Sequence, residues 1–368
     1  MKSIITSFLI FIVAGLTAQS TITDTMTHDG VVRNYRLFYP SSYVQGTPMP
    51  LVFNLHGFGS DAFQQTFYSE MSAVAETEGF IVCYPNGVNM AWNVGWTFGS
   101  TEDDVAFFSR LIDRISSEYS IDQNRVYSCG MSNGGFMSYR LACELSERIT
   151  AVASVTGSML STVIPMCSPS RAVPVLEIHG TADSTVPYTG VSGVSAHIDT
   201  VVQFWVNNNG CLTPGDTTII PNTNTKDSST VIRVDYTGCN DGSKVSFFVV
   251  IGGAHTWPGA TLIFDITNKD IDASEEIWEF FKQFSLDNTT NIDEPVSSNR
   301  TLIYPNPTSN TISIDAEFDN YRIFDIHGRV IQEGGYFHTL SVKEYLSGMY
   351  FLEVSSGSKL DRFIFSIR

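Results

Sequence analysis

Apolar and polar positions along the chain fall into two repeating patterns. Unbroken apolar runs such as PLVFNLHG, GFIVCYPN, NRVYSCG, ITAVASVTG, VPVLEIHG and VSFFVVIGG read as strands buried on both faces. Between them lie segments with helical spacing. In DDVAFFSRLIDRISSEY the apolar residues Val105, Phe108, Leu111, Ile112 and Ile115 recur at three and four. SEMSAVAETEG, NGGFMSYRLACELS, VSAHIDTVVQFWVNNNG and SEEIWEFFKQF read as further helices, and VVRNYRLFYP as an early strand. Strands alternating with helices from about residue 30 to 284 imply an α/β class, with a mostly parallel sheet covered by helices on both faces. TTII and TVIRVDY alternate instead, and suggest a small β-hairpin.

After residue 284 the pattern changes. Residues 285–302 are polar and aperiodic and read as a linker. Residues 303–368 hold short alternating segments, TISIDA, YRIFDI, GRVIQEG, MYFLEV and RFIFSI, which imply a small all-β, sandwich-like domain. At the other end, Lys2, the apolar stretch Ile4–Leu16 and Leu-Thr-Ala ending at Ala18 form a signal-peptide pattern over residues 1–18. About 13 apolar residues are short for a bilayer span of roughly 20. Residues 19–284 are then the main domain of an exported protein.

Composition narrows the function. The 368 residues carry 38 acids against 21 bases, a formal charge of −17, with no basic run. Nucleic-acid and anionic-membrane partners are disfavoured, because both need clustered Lys and Arg. Export permits disulfides. Six cysteines allow 15 full pairings, and the local loop-to-loop pairs Cys143–Cys167 and Cys211–Cys239 are expected, the second clipping the hairpin. Cys83 and Cys129 lie inside apolar strands and read as buried free thiols. No metal-ligand spacing, P-loop or dinucleotide fingerprint occurs, so neither a metal nor another cofactor is expected.

The sharpest chemical signal is Gly130-Met131-Ser132-Asn133-Gly134, set between a strand and a helix. There G-x-S-x-G makes a nucleophile elbow, with the serine hydroxyl above the sheet and the Asn133 N–H facing a developing oxyanion. Such a serine needs a base and an orienting acid, in the order Ser, Asp/Glu, His. Asp183 follows VPVLEIHG and His255 follows VSFFVVIGG, which makes Ser132, Asp183 and His255 the expected triad. Phe58 N–H, after PLVFNLHG, is the expected second oxyanion donor. His56 and His179 are assigned to bracing their loops, His197 to a helix, and His28 to a position outside the core. Trp92 and Trp257 are expected to stack on substrate and Trp96 to pack in the core. Asp103 and Asp104 are expected to cap the helix they begin. Only about 15 residues separate ITAVASVTG from VPVLEIHG, too few for a large lid.

These motifs carry a resemblance. LHGFG (55–59), DDVAFF (103–108), GMSNGGFMSYRLAC (130–143), HGTADSTVPY (179–188) and GGAHTWPG (252–259) resemble the secreted polyhydroxybutyrate depolymerase-like and feruloyl esterase-like α/β-hydrolases. The resemblance implies the α/β-hydrolase fold and a serine carboxylic-ester hydrolase using the same three residues. One polymer-depolymerase subgroup carries Cys where this chain has Phe58. That departure favours feruloyl or acetyl esters of plant polysaccharides, with a polyester depolymerase as the alternative. A serine peptidase and an inactive surface-binding protein are further from the pattern. In the tail, YPNPTSNTISI (304–314), YRIFDIHGRVI (321–331) and YLSGMYFLEV (345–354) resemble the C-terminal sorting domain of the type IX secretion system. That resemblance implies a Bacteroidetes-type bacterium, secretion or display at the cell surface, the secretion machinery as a partner, and removal of the tail. The expected substrate is an ester, polymeric esters included, and the expected state is a monomer.

Overall fold

The computed structural model describes residues 20–287 and, in the tail, 303–304, 308–314, 317–325, 329–357 and 359–367. The expected signal peptide and nearly all of the linker lie outside the described residues. In chain order the main domain runs β1 (Ser20–His28), β2 (Val31–Tyr39), β3 (Met49–Leu55), α1 (Ala62–Ser69), α2 (Met71–Glu78), β4 (Ile81–Pro85), α3 (Asp104–Glu118) and β5 (Ile121–Met131). It continues with α4 (Asn133–Glu144), β6 (Ala151–Val155), β7 (Val175–Gly180), α5 (Ile198–Asn208), β8 (Asp216–Ile219), β9 (Thr230–Tyr236), β10 (Val245–Ile251) and α6 (Ala273–Phe281).

The ten strands form one sheet in the order β1-β2-β4-β3-β5-β6-β7-β10-β9-β8. The six from β4 to β10 in that order are parallel, and antiparallel strands flank them on both sides. Helices α3, α4 and α5 pack their apolar stripes on one face, and α1, α2 and α6 on the other. Both faces of the parallel strands are therefore dry, which is why those strands read as continuous apolar runs.

Helix α1 is absent from the sequence expectation, and three further elements differ from it. Strand β1 went unread although TITDTMTH alternates; its side chains are alternately half-buried and exposed, as on an edge strand with one face in solvent. The β8–β9 hairpin is not a separate unit, because β9 pairs antiparallel with β10 and prolongs the main sheet. Helix α5 begins at Ile198, and His197 is its N-cap rather than an interior residue, accepting the Asp199 N–H on Nδ1 at 3.2 Å. His28 is also not outside the core: it is buried at the end of β1, with Nε2 3.2 Å from the Asp103 carbonyl and its ring on Phe107.

Disulfides join Cys143 to Cys167 and Cys211 to Cys239, while Cys83 and Cys129 are buried and free. The first bridge ties the β6–β7 connection, which holds one short turn of 3-10 helix (Ile164–Met166), to the end of α4. In the tail, β11 (Ile303–Tyr304), β12 (Thr311–Ile314) and β15 (Thr339–Ser341) form one sheet. Strands β13 (Asn320–Asp325), β14 (Val330–Gly335), β16 (Gly348–Ser356) and β17 (Lys359–Ile367) form the other. Ile312, Ile314, Ile323, Leu352 and Phe365 fill the core they share. Among the described residues no helix is long and apolar enough to cross a membrane.

Candidate active site

The C-terminal ends of β5, β7 and β10 carry the three candidate residues to the same edge of the sheet. Ser132 sits at φ 54°, ψ −121°, a strained conformation for a residue with a side chain. Its N–H bonds the Val155 carbonyl at 2.8 Å, which ties the elbow to β6. The turn admits no side chain at its glycines. A Cβ on Gly134 would lie 2.2 Å from the Leu55 carbonyl oxygen, and one on Gly130 would lie 2.6 Å from the Gly134 carbonyl carbon. The close approach of β3 to the elbow, not turn propensity alone, therefore requires glycine here.

Asp183 is buried, and its Oδ1 accepts the N–H groups of Thr185 (2.9 Å) and Val186 (2.8 Å). Its Oδ2 stands 2.7 Å from His255 Nδ1. That bond directs Nε2 of the partly exposed His255 away from the acid. The Ser132 hydroxyl makes no hydrogen bond to another described residue.

The loop after β3 lies directly against the nucleophile. A Cβ on Gly57 would fall 3.4 Å from Ser132 Cβ and 4.0 Å from its Oγ. This brings the Phe58 backbone into the vicinity of Ser132, while the Asn133 N–H opens α4 with no acceptor one helical turn earlier. His56 is buried beneath the loop, with Nδ1–H donating to the Gly57 carbonyl at 2.8 Å and Nε2 accepting the Gly87 N–H at 3.0 Å. Burial pushes its pKa down to about 4.

The aromatic residues are distributed differently from expectation. Trp92 and Trp257, expected on the substrate, are 1% and 0% exposed. Trp92 lies under the loop, donating Nε1–H to the His56 carbonyl at 2.9 Å and packing on His56 and Phe108. Trp257 turns inward after His255 and donates to Ser274 at 3.2 Å. Both indoles satisfy their single donor inside the protein and present no face to a ligand. Trp96, expected in the core, packs against it and stays partly exposed. It stacks on Phe98 at 4.9 Å, and Phe58 and Phe136 approach it edge-on at 6.4 and 5.0 Å. Its Nε1–H bonds the Val194 carbonyl at 2.9 Å and fixes the ring.

Two side-chain roles were not read from sequence. The Asn133 amide clasps residue 92, accepting its N–H at 2.7 Å and donating to its carbonyl at 3.2 Å. Of the two expected capping acids only Asp103 caps α3, at 3.0 Å from the Ala106 N–H. Asp104 is instead fully buried and pairs with buried Arg33 at 2.8 Å while accepting the Asn93 N–H at 2.7 Å. Burial raises its pKa, against the opposing pull of Arg33. No group of His, Cys, Asp and Glu among the described residues is arranged to hold a metal ion.

Comparison with known proteins decides the family. Residues 33–213 match the esterase PHB depolymerase family, and residues 302–365 match the secretion system C-terminal sorting domain. Feruloyl esterase D of Neurospora crassa is 30% identical over 283 residues, covering 74% of this chain and 89% of the relative. The chain belongs to this esterase family. A bifunctional acetylxylan esterase/xylanase of Neocallimastix patriciarum is 26% identical, with 79% of this chain aligned. The chain spans only 39% of that longer relative. Among solved structures, an acetyl xylan esterase from Aspergillus awamori superposes with a TM-score of 0.50 at 14% identity, over 71% of this chain and 99% of its own. At that identity the likeness speaks for the α/β-hydrolase fold alone. The sorting tail makes this family member a secreted or cell-surface protein.

Proposed function

We propose that the protein is a serine carboxylic-ester hydrolase acting on feruloyl or acetyl esters of plant polysaccharides. The observation that carries this reading is the buried Asp183 held 2.7 Å from His255 at the sheet edge that also bears the strained Ser132 elbow. His255, oriented by Asp183, takes the Ser132 proton as the hydroxyl oxygen attacks the ester carbonyl. The tetrahedral oxyanion rests on the N–H groups of Asn133 and Phe58, where loss of one donor typically costs roughly 3–4 kcal/mol of transition-state stabilisation. His255 then protonates the departing alcohol, and water releases the acyl group by the same route. Neither step calls for a cofactor. The Trp96–Phe98–Phe58 cluster suits an aromatic acyl group, since stacked and edge-on rings add about 0.5–1.5 kcal/mol beyond burial. The sorting tail fits delivery by the type IX secretion machinery, with the enzyme working as a monomer.

Ser132→Ala should abolish hydrolysis of p-nitrophenyl acetate while leaving the unfolding transition in place; retained turnover would exclude Ser132 as nucleophile. A second reading, depolymerisation of a polyester, is favoured by one observation. Leu262, Ile263 and Phe264 are consecutive, exposed and apolar on the segment after His255, with Phe264 75% exposed. Methyl ferulate, acetylated xylan and polyhydroxybutyrate film compared side by side distinguish the two, and clearing of the film alone would select the second.

A further inference from the structure

Behind Asp183 lies a buried polar chain that the triad chemistry does not require. Glu177 and His179 are two residues apart on β7, so both point to the α4–α5 face of the sheet, between the apolar Leu176 and Ile178 that face the other way. Both are fully buried. Tyr139 of α4 donates its hydroxyl to Glu177 Oε2 at 2.7 Å, and Glu177 Oε1 stands 2.9 Å from His179 Nδ1. On the other edge of the ring, Nε2 is 2.9 Å from the Val186 carbonyl and 3.5 Å from Asp183 Oδ2.

Proton bookkeeping limits this arrangement. A carbonyl oxygen only accepts, so His179 Nε2 carries a hydrogen. Nδ1 faces a carboxyl group that already accepts from Tyr139, and one further proton lies between them. Asp183 decides where that proton rests. Its carboxylate is buried, and its ion-pair partners among the described residues are His255 and His179. His255 must be neutral at rest to serve as a base, which leaves His179 to neutralise Asp183. Burial opposes a charge on His179, but Glu177 and Asp183 outweigh it and hold its pKa above the ordinary histidine value. Burial also raises the pKa of Glu177, against the pull of His179 and Tyr139, and the contact with Asp183, made by His179 and not by Glu177, tips the proton to the imidazole.

We propose that His179 is a positioning residue of the triad: kept as an imidazolium by Glu177, it aims Nε2–H at Val186 and at the same Asp183 oxygen that orients His255. This rests on the triad reading above. At rest the cluster Glu177–His179–Asp183 carries one net negative charge. It becomes neutral together with His255 at the moment His255 takes the serine proton. The cation nearest Asp183 also offsets part of the acid's attraction for the imidazolium that forms on His255 during turnover. The other groups facing this cluster are Tyr188, edge-on to His179 at 6.0 Å, and Asp199 of α5, which accepts the Tyr188 hydroxyl at 2.6 Å.

The test combines spectroscopy with kinetics on the full chain. With 15N-histidine labelling, His179 should show two protonated ring nitrogens from pH 6 to 8. In Glu177→Gln the amide donates to Nδ1 and still accepts from Tyr139, so the hydrogen bonds survive while His179 becomes neutral. For that variant the acid limb of kcat/KM on p-nitrophenyl acetate should move to higher pH by roughly half a unit or more. KM should change less than twofold. A singly protonated His179 in the parent at pH 7 would overturn the proposal, as would a folded Glu177→Gln whose pH profile superimposes on the parent's. The labelling arm needs neither a variant nor activity. Turnover surviving in Ser132→Ala would overturn the triad reading while leaving the protonation state of His179 as measured.

Discussion

Acid should unfold this protein in part through one residue, His56, and the size of the effect follows from its surroundings. Its two ring nitrogens have opposite fixed roles, donor to the Gly57 carbonyl and acceptor from the Gly87 N–H. A second ring proton would set two donors against each other at Gly87 in a site without water access. Burial accordingly lowers the pKa to about 4, against roughly 6.5 for an unfolded histidine. Because the folded value lies below the unfolded one, His56 contributes its full stability above pH 6.5. That contribution is lost as pH falls toward 4, where only the unfolded chain gains the proton. A difference of about 2.5 units corresponds to about 3 kcal/mol. The measurement is guanidinium unfolding followed by tryptophan fluorescence at pH values from 7.5 to 4, on the parent and on His56→Asn. Asparagine restores the donor to Gly57 but leaves the Gly87 N–H unmatched, a pH-independent cost of about 1–3 kcal/mol. The variant should be less stable at pH 7 by about 1–3 kcal/mol, and the difference should shift by about 3 kcal/mol in its favour toward pH 4, so that the gap vanishes or reverses. A gap that stays constant over the range would refute the reasoning, since it would mean that folding does not suppress protonation of His56.

Three further outcomes are expected. Gly134→Ala drives a Cβ to 2.2 Å from the Leu55 carbonyl and should destabilise the fold by at least about 4 kcal/mol or prevent it; a soluble variant with a melting temperature within a few degrees of the parent would contradict the close approach. Replacing Cys143 and Cys167 by serine opens a loop set by a separation of 24 residues and should cost about 3–4 kcal/mol in thermal or guanidinium unfolding; a loss below 1 kcal/mol would mean that the β6–β7 connection is held by its packing instead. Trp96→Ala should raise KM for methyl ferulate about fivefold while kcat/KM on p-nitrophenyl acetate changes less than twofold. Equal losses on both esters would assign Trp96 to holding the loop rather than to meeting an aryl group.

Much of the fold was legible because the parallel strands are buried on both faces and leave apolar runs that helical segments interrupt. The same reasoning passed over β1, whose outer positions face solvent, and α1, whose sequence AFQQTFYS has too few turns to set a period. The elbow residues and their order relative to Asp183 and His255 were legible too, since strand ends and the turns that follow them carry local signals. Trp92 and Trp257 were misassigned, and Trp96 was not, for a reason that spacing along the chain does not contain. All three occupy loops near the nucleophile, and their exposure depends on what packs over each: the His56 loop on Trp92, Ser274 of α6 against Trp257, and the Val194 carbonyl against the edge of Trp96.

Glu177 shows the same division within a single strand. In VPVLEIHG it is one polar letter in an apolar run, with nothing nearby to say whether it meets water or a partner. Only the docking of α4 brings Tyr139 to it, and only the return of the Asp183 loop extends the chain beyond its strand neighbour His179. The sequence alone determined the alternation of strands and helices, the Ser–Asp–His order and the glycines of the elbow, because these depend on neighbours in the chain. The tertiary structure decided which aromatics are exposed, which acids are paired and which groups the buried histidine rings meet. Those properties depend on desolvation and on partners as far as 98 residues away along the chain, and neither is set until the sheet has brought its loops together.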